Sequence, residues 1–209
     1  MNLLRKLFLI LIGDPKKPTS GRGAAYANHS DEELVDAIVK TNNSMLFGLL
    51  YDRYAKKVYN KCYGFSRSDD EAEDLTQDVF LMLFVKLPSF KGKSKFSSWL
   101  YSFTYNFCVN YVNRNKERKM SDQSDQIENS EHRFSVEVDD LSLFQMRSGK
   151  LKKALNKISP EDKTLLLLKY QDDVPIKELC ALMDLGESAV KMRLKRAKSR
   201  IINTYNTLT

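Results

Sequence analysis

Asp184-Leu185-Gly186-Glu187-Ser188-Ala189-Val190-Lys191-Met192-Arg193-Leu194-Lys195-Arg196-Ala197-Lys198-Ser199-Arg200 is the stretch that decides the fold class. Val190, Leu194, Ala197 and Ile201 recur at helical spacing and form one apolar stripe. Lys191, Arg193, Lys195, Arg196, Lys198 and Arg200 cover the remaining surface, six cations against the single acid Glu187. Ahead of them, Asp184 tolerates the left-handed backbone that a tight interhelical turn requires, and Gly186 can act as the next N-cap. Before the turn, Pro175 opens a shorter helix whose Ile176, Leu179, Cys180 and Met183 make an apolar face. A short helix, a tight turn and a longer basic helix form a helix-turn-helix. This is the layout of a recognition helix, whose N-terminal half can enter a major groove while later cations hold phosphates. A merely solvated basic helix end does not explain why helix lengths, turn and charge agree.

Moving back along the chain, Ser159-Pro160-Glu161-Asp162 is a helix start, with Ser as N-cap, Pro at the first position and acids behind. Leu165 to Leu168 and Tyr170 supply core, and Leu151, Ala154, Leu155 and Ile158 form another helical stripe. Residues 148–209 carry 13 basic and 7 acidic side chains. Residues 119–147 reverse that balance, with 3 basic and 7 acidic, and read as a polar, acidic tether with short helical turns near Leu141–Met146.

An earlier block, residues 30–118, is close to neutral overall. Ser30-Asp31-Glu32-Glu33 is a capping box, followed by Leu34, Ala37 and Ile38 at helical spacing. Phe47, Leu50, Tyr51, Tyr54 and Val58 make a second stripe that belongs in a core. A third helix starts after Ser68-Asp69-Asp70, with Glu71, Glu73 and Asp74 at the positive end of its dipole. Leu75, Val79, Met82 and Leu83 give it one apolar face, Phe80 and Phe84 another, and Asp74, Gln77 and Asp78 a polar patch. So wide an apolar surface means either central burial or a partner helix.

Between Asp78 and Glu117 there is no acidic residue. Lys91-Gly92-Lys93-Ser94-Lys95 reads as a loop, and residues 96–113 as a helix with Phe96, Leu100, Phe103 and Phe107 on a core stripe. Trp99, Tyr101, Tyr105, Asn106 and Asn110 fall on its other faces. Lysines beside aromatics and amides suit single-stranded nucleic acid: cations follow phosphates, rings stack on bases and amides read base edges. An aromatic-rich core beside a solvated lysine loop is the alternative.

Composition is consistent with this division. The 209 residues carry 34 Lys and Arg against 27 Asp and Glu, a net charge of +7 that suits a polyanionic partner. Cys62, Cys108 and Cys180 are too scattered for a disulfide framework or zinc knuckle, and reduced thiols point to the cytoplasm. His29 and His132 lie in polar stretches and make no ligand set, so no metal or cofactor is expected. Residues 1–29 read as a flexible extension with net charge +4. Within it, Arg5 and Lys6 precede the apolar run Leu7–Ile12, which is at or below signal-peptide length and far too short to span a bilayer. The expected fold is all-α: a helical bundle and a C-terminal helix-turn-helix, joined by the acidic linker.

Two stretches resemble the extracytoplasmic-function (ECF) sigma factors of the sigma-70 family. One is Asp74-Leu75-Thr76-Gln77-Asp78-Val79-Phe80 with Phe90-Lys91-Gly92 and Phe96-Ser97-Ser98-Trp99-Leu100-Tyr101, similar to sigma region two. The other is Val174–Arg200, similar to region four, whose fold is a winged-helix-like helix-turn-helix. The resemblance implies domains over 30–118 and 148–209, with no catalysis and no small-molecule substrate. It implies that Asp74, Gln77 and Asp78, with Phe80 and Leu81, dock on the clamp helices of core RNA polymerase. It implies that Asn106 helps capture a flipped base of the −10 promoter element, beside Lys91, Lys93, Lys95, Trp99, Tyr101, Tyr105 and Asn110. Lys191, Met192, Lys195 and Arg196 match positions facing the −35 element, with Glu187, Ser188 and Lys198 on the same helix. An anti-sigma partner is also implied. The chain departs from the pattern at Asp184, Gly186 and Met192, where the family has Gly, Ser and a small polar reader.

Two other classes compete. A helix-turn-helix regulator acting without polymerase accounts for residues 148–209 but leaves the acid-free aromatic stretch idle. A nuclease needs clustered carboxylates or histidines, whereas the acids here sit at helix starts or in the linker.

Overall fold

The structure is a computed structural model and describes residues 28–120 and 146–208. The extension expected over 1–29, most of the linker expected over 119–147, the turns placed near Leu141–Met146 and His132 lie largely or wholly outside those residues. The chain divides into two compact units between Cys108 and Val109. That point falls inside a continuous helix, ahead of the residue 118 at which the sequence ends the first block. Among the described residues every regular element is helical, so the helix-turn-helix has no β-wing there.

In the first unit, α1 spans Asp31–Thr41. Its capping box forms as the sequence dictates: the Glu33 N–H donates to Ser30 Oγ at 3.2 Å, and Glu33 Oε2 accepts from the Ser30 N–H at 2.8 Å. Asn42 ends the helix in the left-handed region, with φ 49°. Asn43 then caps α2, Ser44–Tyr63, by accepting from the Met45 N–H. Two adjacent asparagines thus stop one helix and start the next. Helix α3, Asp69–Lys86, begins two residues earlier than the sequence suggests, because Ser68 is the N-cap. A 3₁₀ turn, Leu87–Ser89, and a loop in which Gly92 adopts φ 66° lead to α4, Phe96–Met120.

Core packing fixes the direction of these helices. Phe47 of α2 meets Phe80 and Phe84 of α3 edge to face, with centroids 6.3 and 5.0 Å apart. Asp31 holds α1 to α2, accepting from Arg53 at 2.7 Å and from the Tyr54 hydroxyl. Burial, then the Asp31 carboxylate, push that hydroxyl well above the usual tyrosine range, so it stays a donor. Glu32 accepts from the Phe96 N–H at 2.8 Å, satisfying an orphan donor at the start of α4 from 64 residues away. Cys62 and Cys108, distant in sequence, bring their sulfurs to 3.9 Å inside the core.

The second unit contains α5 (Ser148–Leu155), α6 (Pro160–Leu166), a π-helical turn (Leu167–Gln171), α7 (Ile176–Met183) and α8 (Glu187–Thr207). Ser159 caps α6 through the Asp162 N–H at 3.2 Å, with Pro160 in the first turn. Ala154, Leu166, Ala197 and Ile201 form a core joined by Leu151, Leu155, Ile158 and Tyr170. Asp184 takes the left-handed conformation, φ 52°, and Gly186 is the N-cap of α8. Val190, Leu194, Ala197 and Ile201 all face inward.

Candidate nucleic-acid and partner interfaces

Helix α4 is aromatic all round, and its neighbours decide which rings stay inside. Tyr105 is fully buried; its hydroxyl accepts from Lys61 Nζ at 3.3 Å, and its ring lies 5.9 Å from Phe65. Lys61, itself buried, sits 3.9 Å from the centroid of the Tyr101 ring. Two tyrosine faces thus house a cation that would otherwise be expensive to bury.

The opposite side of α4 is different. Trp99, Phe103, Asn106 and Asn110 follow at i, i+4, i+7 and i+11 and therefore share one face. Trp99 and Phe103 are half-buried and stack at 5.6 Å with planes 17° apart, while both asparagines are exposed. Phe90 and Phe96 support Trp99 from below, each within 6 Å of its ring. Lys91, Lys93 and Lys95 are exposed in the loop immediately before the helix. Flat rings, amides and flanking cations are what binding to unpaired bases requires.

Helix α3 buries Leu75, Val79, Phe80 and Leu83. Its outer face carries Asp74, Gln77, Asp78, Leu81, Met82 and Val85; Met82 is 42% exposed and Val85 67%. Desolvation, then the neighbouring Asp74 charge, raise the Asp78 carboxyl above its ordinary value. Exposed apolar residues beside close carboxylates leave a surface suited to an apolar and basic partner.

On α8, Glu187, Ser188, Lys191, Met192, Lys195 and Arg196 are all exposed, and Met192 is 51% accessible. Lys191 pairs with Glu187 at 2.5 Å; the pair lowers the Glu187 carboxyl and raises the Lys191 ammonium. Further along, Ser199 is buried, Lys198 half-buried, and Arg200 is held by Asp162 at 2.7 Å. The open face is therefore the N-terminal half, which is the half that a helix-turn-helix presents to a groove.

The sigma-70 region 2 family matches residues 50–118, and the sigma-70 region 4 family matches residues 148–201. The chain belongs to the sigma-70 family and is of its ECF type. It is 25% identical over 169 residues to the ECF RNA polymerase sigma factor SigW of Bacillus subtilis, covering 78% of this chain and 90% of that one. It is 29% identical over 185 residues to the ECF RNA polymerase sigma-E factor of Escherichia coli K12, covering 86% and 96%. Two solved structures share the fold. The sigma factor RpoE with the anti-sigma factor NepR, from Bartonella quintana, has TM-score 0.52 and 22% identity, covering 78% of this chain and 98% of that one. CnrH with the cytosolic domain of CnrY has TM-score 0.57 and 19% identity, covering 86% and 99%.

Within this ECF sigma factor the structure redistributes some expected site residues. Phe80 and Tyr105 have no exposed surface, because α2 covers the first and Lys61 with Phe65 enclose the second; neither can touch a partner in this conformation. Tyr101 is half-buried against Lys61 and Tyr54, away from the Trp99 face. Phe103, assigned to the core stripe by spacing, instead extends the open aromatic face, and Phe107 is half-buried. Its i+4 relation to Trp99 was the signal available in the sequence. Met82, placed by spacing on one apolar face with Leu75, Val79 and Leu83, is exposed beside Val85 while the other three are buried. Among the described residues no helix is long and apolar enough to cross a membrane.

Proposed function

We propose that this ECF sigma factor directs core RNA polymerase to promoters by dividing the work between three surfaces. The outer face of α3, with Asp74, Gln77, Asp78, Leu81, Met82 and Val85, docks on the polymerase clamp helices. The Trp99–Phe103–Asn106–Asn110 face of α4 receives unpaired bases of the −10 element, while Lys91, Lys93 and Lys95 follow the backbone. The N-terminal half of α8, with Ser188, Lys191, Met192, Lys195 and Arg196, reads the −35 duplex.

One observation carries the reading: a single chain presents an open stacked-aromatic and amide face along α4 and an open basic recognition helix in α8. A polymerase-independent regulator has use for the second alone. The protein acts on polymerase and DNA without bond-making chemistry of its own, and works in the cytoplasm where both reside. One solved structure of this fold pairs a sigma factor with an anti-sigma factor and another pairs CnrH with the cytosolic domain of CnrY, which supports an anti-sigma partner here. Core polymerase with this protein, supplied with genomic DNA fragments and read by mapping transcript ends, tests the function. Discrete new start sites are expected; no association with core and no change in start sites would refute it.

A further inference from the structure

The outer face of α3 is covered by nothing among the described residues, yet it combines features that water tolerates poorly. Val85 and Met82 are exposed beside Leu81, and Asp74 and Asp78 crowd one another one turn away. The whole helix carries six acids against Lys86 alone. The same chain contains a segment of opposite character. Residues 3–12 hold Leu3, Leu4, Leu7 and the run Phe8–Ile12 around Arg5 and Lys6, and Lys16 and Lys17 follow. We propose that this N-terminal segment docks on the outer face of α3 in the free protein, laying apolar side chains on Met82 and Val85 and cations beside Asp74 and Asp78. It thereby competes with polymerase for that face.

Length permits it. The 17 residues from Gly13 to His29 reach about 60 Å when extended, roughly twice the width of a domain of this size. A tether of this kind raises the local concentration of the segment to the millimolar range, so even weak docking is appreciable. Charge favours it too: desolvation first, and then the Asp74 charge, raise the Asp78 carboxyl, and a cation beside the two carboxylates answers the second of these. Polymerase displaces the segment by binding the same face more tightly, so docking acts as a threshold on holoenzyme formation. The competition, though not the docking, rests on the polymerase-binding role given to α3 above.

The test uses the full chain and the variant Leu9→Asp/Ile10→Asp, whose changes lie outside every described element. A carbodiimide coupler joins lysine amines to carboxylates at contact distance, and the monomer is mapped by peptide mass. Couplings of Lys6, Lys16 or Lys17 to Asp74 or Asp78 are expected, and they disappear in the variant. The variant also binds core polymerase tighter, by about two- to tenfold for a weak site under millimolar effective concentration. Couplings scattered over the chain, or found only in covalent dimers, overturn the proposal. So does a segment that sediments with phosphatidylglycerol vesicles while Asp74 and Asp78 stay uncoupled in solution. Correct couplings with unchanged polymerase affinity overturn the competition. Val85→Asp separates that failure from failure of the polymerase reading itself, since only the latter leaves core binding intact in this substitution.

Discussion

Replacing Phe103 with leucine isolates what the open face of α4 does. The ring is half-buried and stacked on Trp99 at 5.6 Å, so truncation to alanine would confuse lost binding with lost packing. Leucine keeps most of the apolar volume and removes the flat surface. The ring pair contributes about 0.5–1.5 kcal/mol beyond its burial, which bounds the structural cost. A base stacked on an aromatic face is worth about 1–3 kcal/mol, and 1.4 kcal/mol is a factor of ten in affinity. Holoenzyme carrying Phe103→Leu should therefore bind a single-stranded −10 oligonucleotide about 5- to 150-fold more weakly. Fluorescence anisotropy measures this, with a duplex −35 oligonucleotide as internal reference and permanganate reactivity of thymines reporting promoter melting. Wild-type affinity for the single strand, or an equal loss on the duplex, would refute the assignment of this face.

Other expectations follow from the remaining surfaces. The Lys191→Ala/Arg196→Ala double variant should weaken −35 duplex binding and flatten its logarithmic salt dependence by about 1–2, because each phosphate contact releases close to one counterion. Breaking the exposed Glu187–Lys191 pair should cost the fold almost nothing. Asp78→Asn should raise the melting temperature at neutral pH. The folded-state pKa of Asp78 lies above the unfolded value, so its charge opposes folding at neutral pH; the opposition fades as pH falls through the folded pKa. The advantage of the variant should accordingly vanish below the carboxylate range, as thermal melts across pH will show. Ser159→Ala removes the acceptor for the Asp162 N–H and should destabilise the second unit by about 1 kcal/mol, read as a lower urea midpoint with unchanged slope.

Local signals in the sequence were legible wherever one residue type answers one backbone demand. Ser30 with Glu33, Ser159 with Pro160, and left-handed Asp184 all stand where the sequence places them. The inward stripe of α8 was equally plain, since cations occupy its other sides. Helix α4 resisted the same treatment because apolar and aromatic residues surround it, so period alone selects no face. What sorts its rings comes from elsewhere in the chain: Phe65 and the buried Lys61 close over Tyr105, while Phe90 and Phe96 brace Trp99. A buried lysine is the least readable of these, since lysine is ordinarily a surface residue and the facing rings of Tyr101 and Tyr105 help make its burial tolerable. On α3, the sequence left central burial and a partner helix both open. The structure buries Phe80 and leaves Val85 exposed, so burial within the bundle accounts for only part of that apolar surface.

The carboxylate of Glu32 reaches across to the first turn of α4 and accepts from the Phe96 N–H. Among the described residues, the first helix of the bundle is thus the clasp that closes over the last one. Its two partners lie 64 residues apart, so this bond forms only when both helices are packed together, and it belongs to tertiary closure rather than to either helix alone. Replacing Glu32 with alanine should therefore loosen the first turn of α4 while the Ser30–Glu33 capping box of α1 persists.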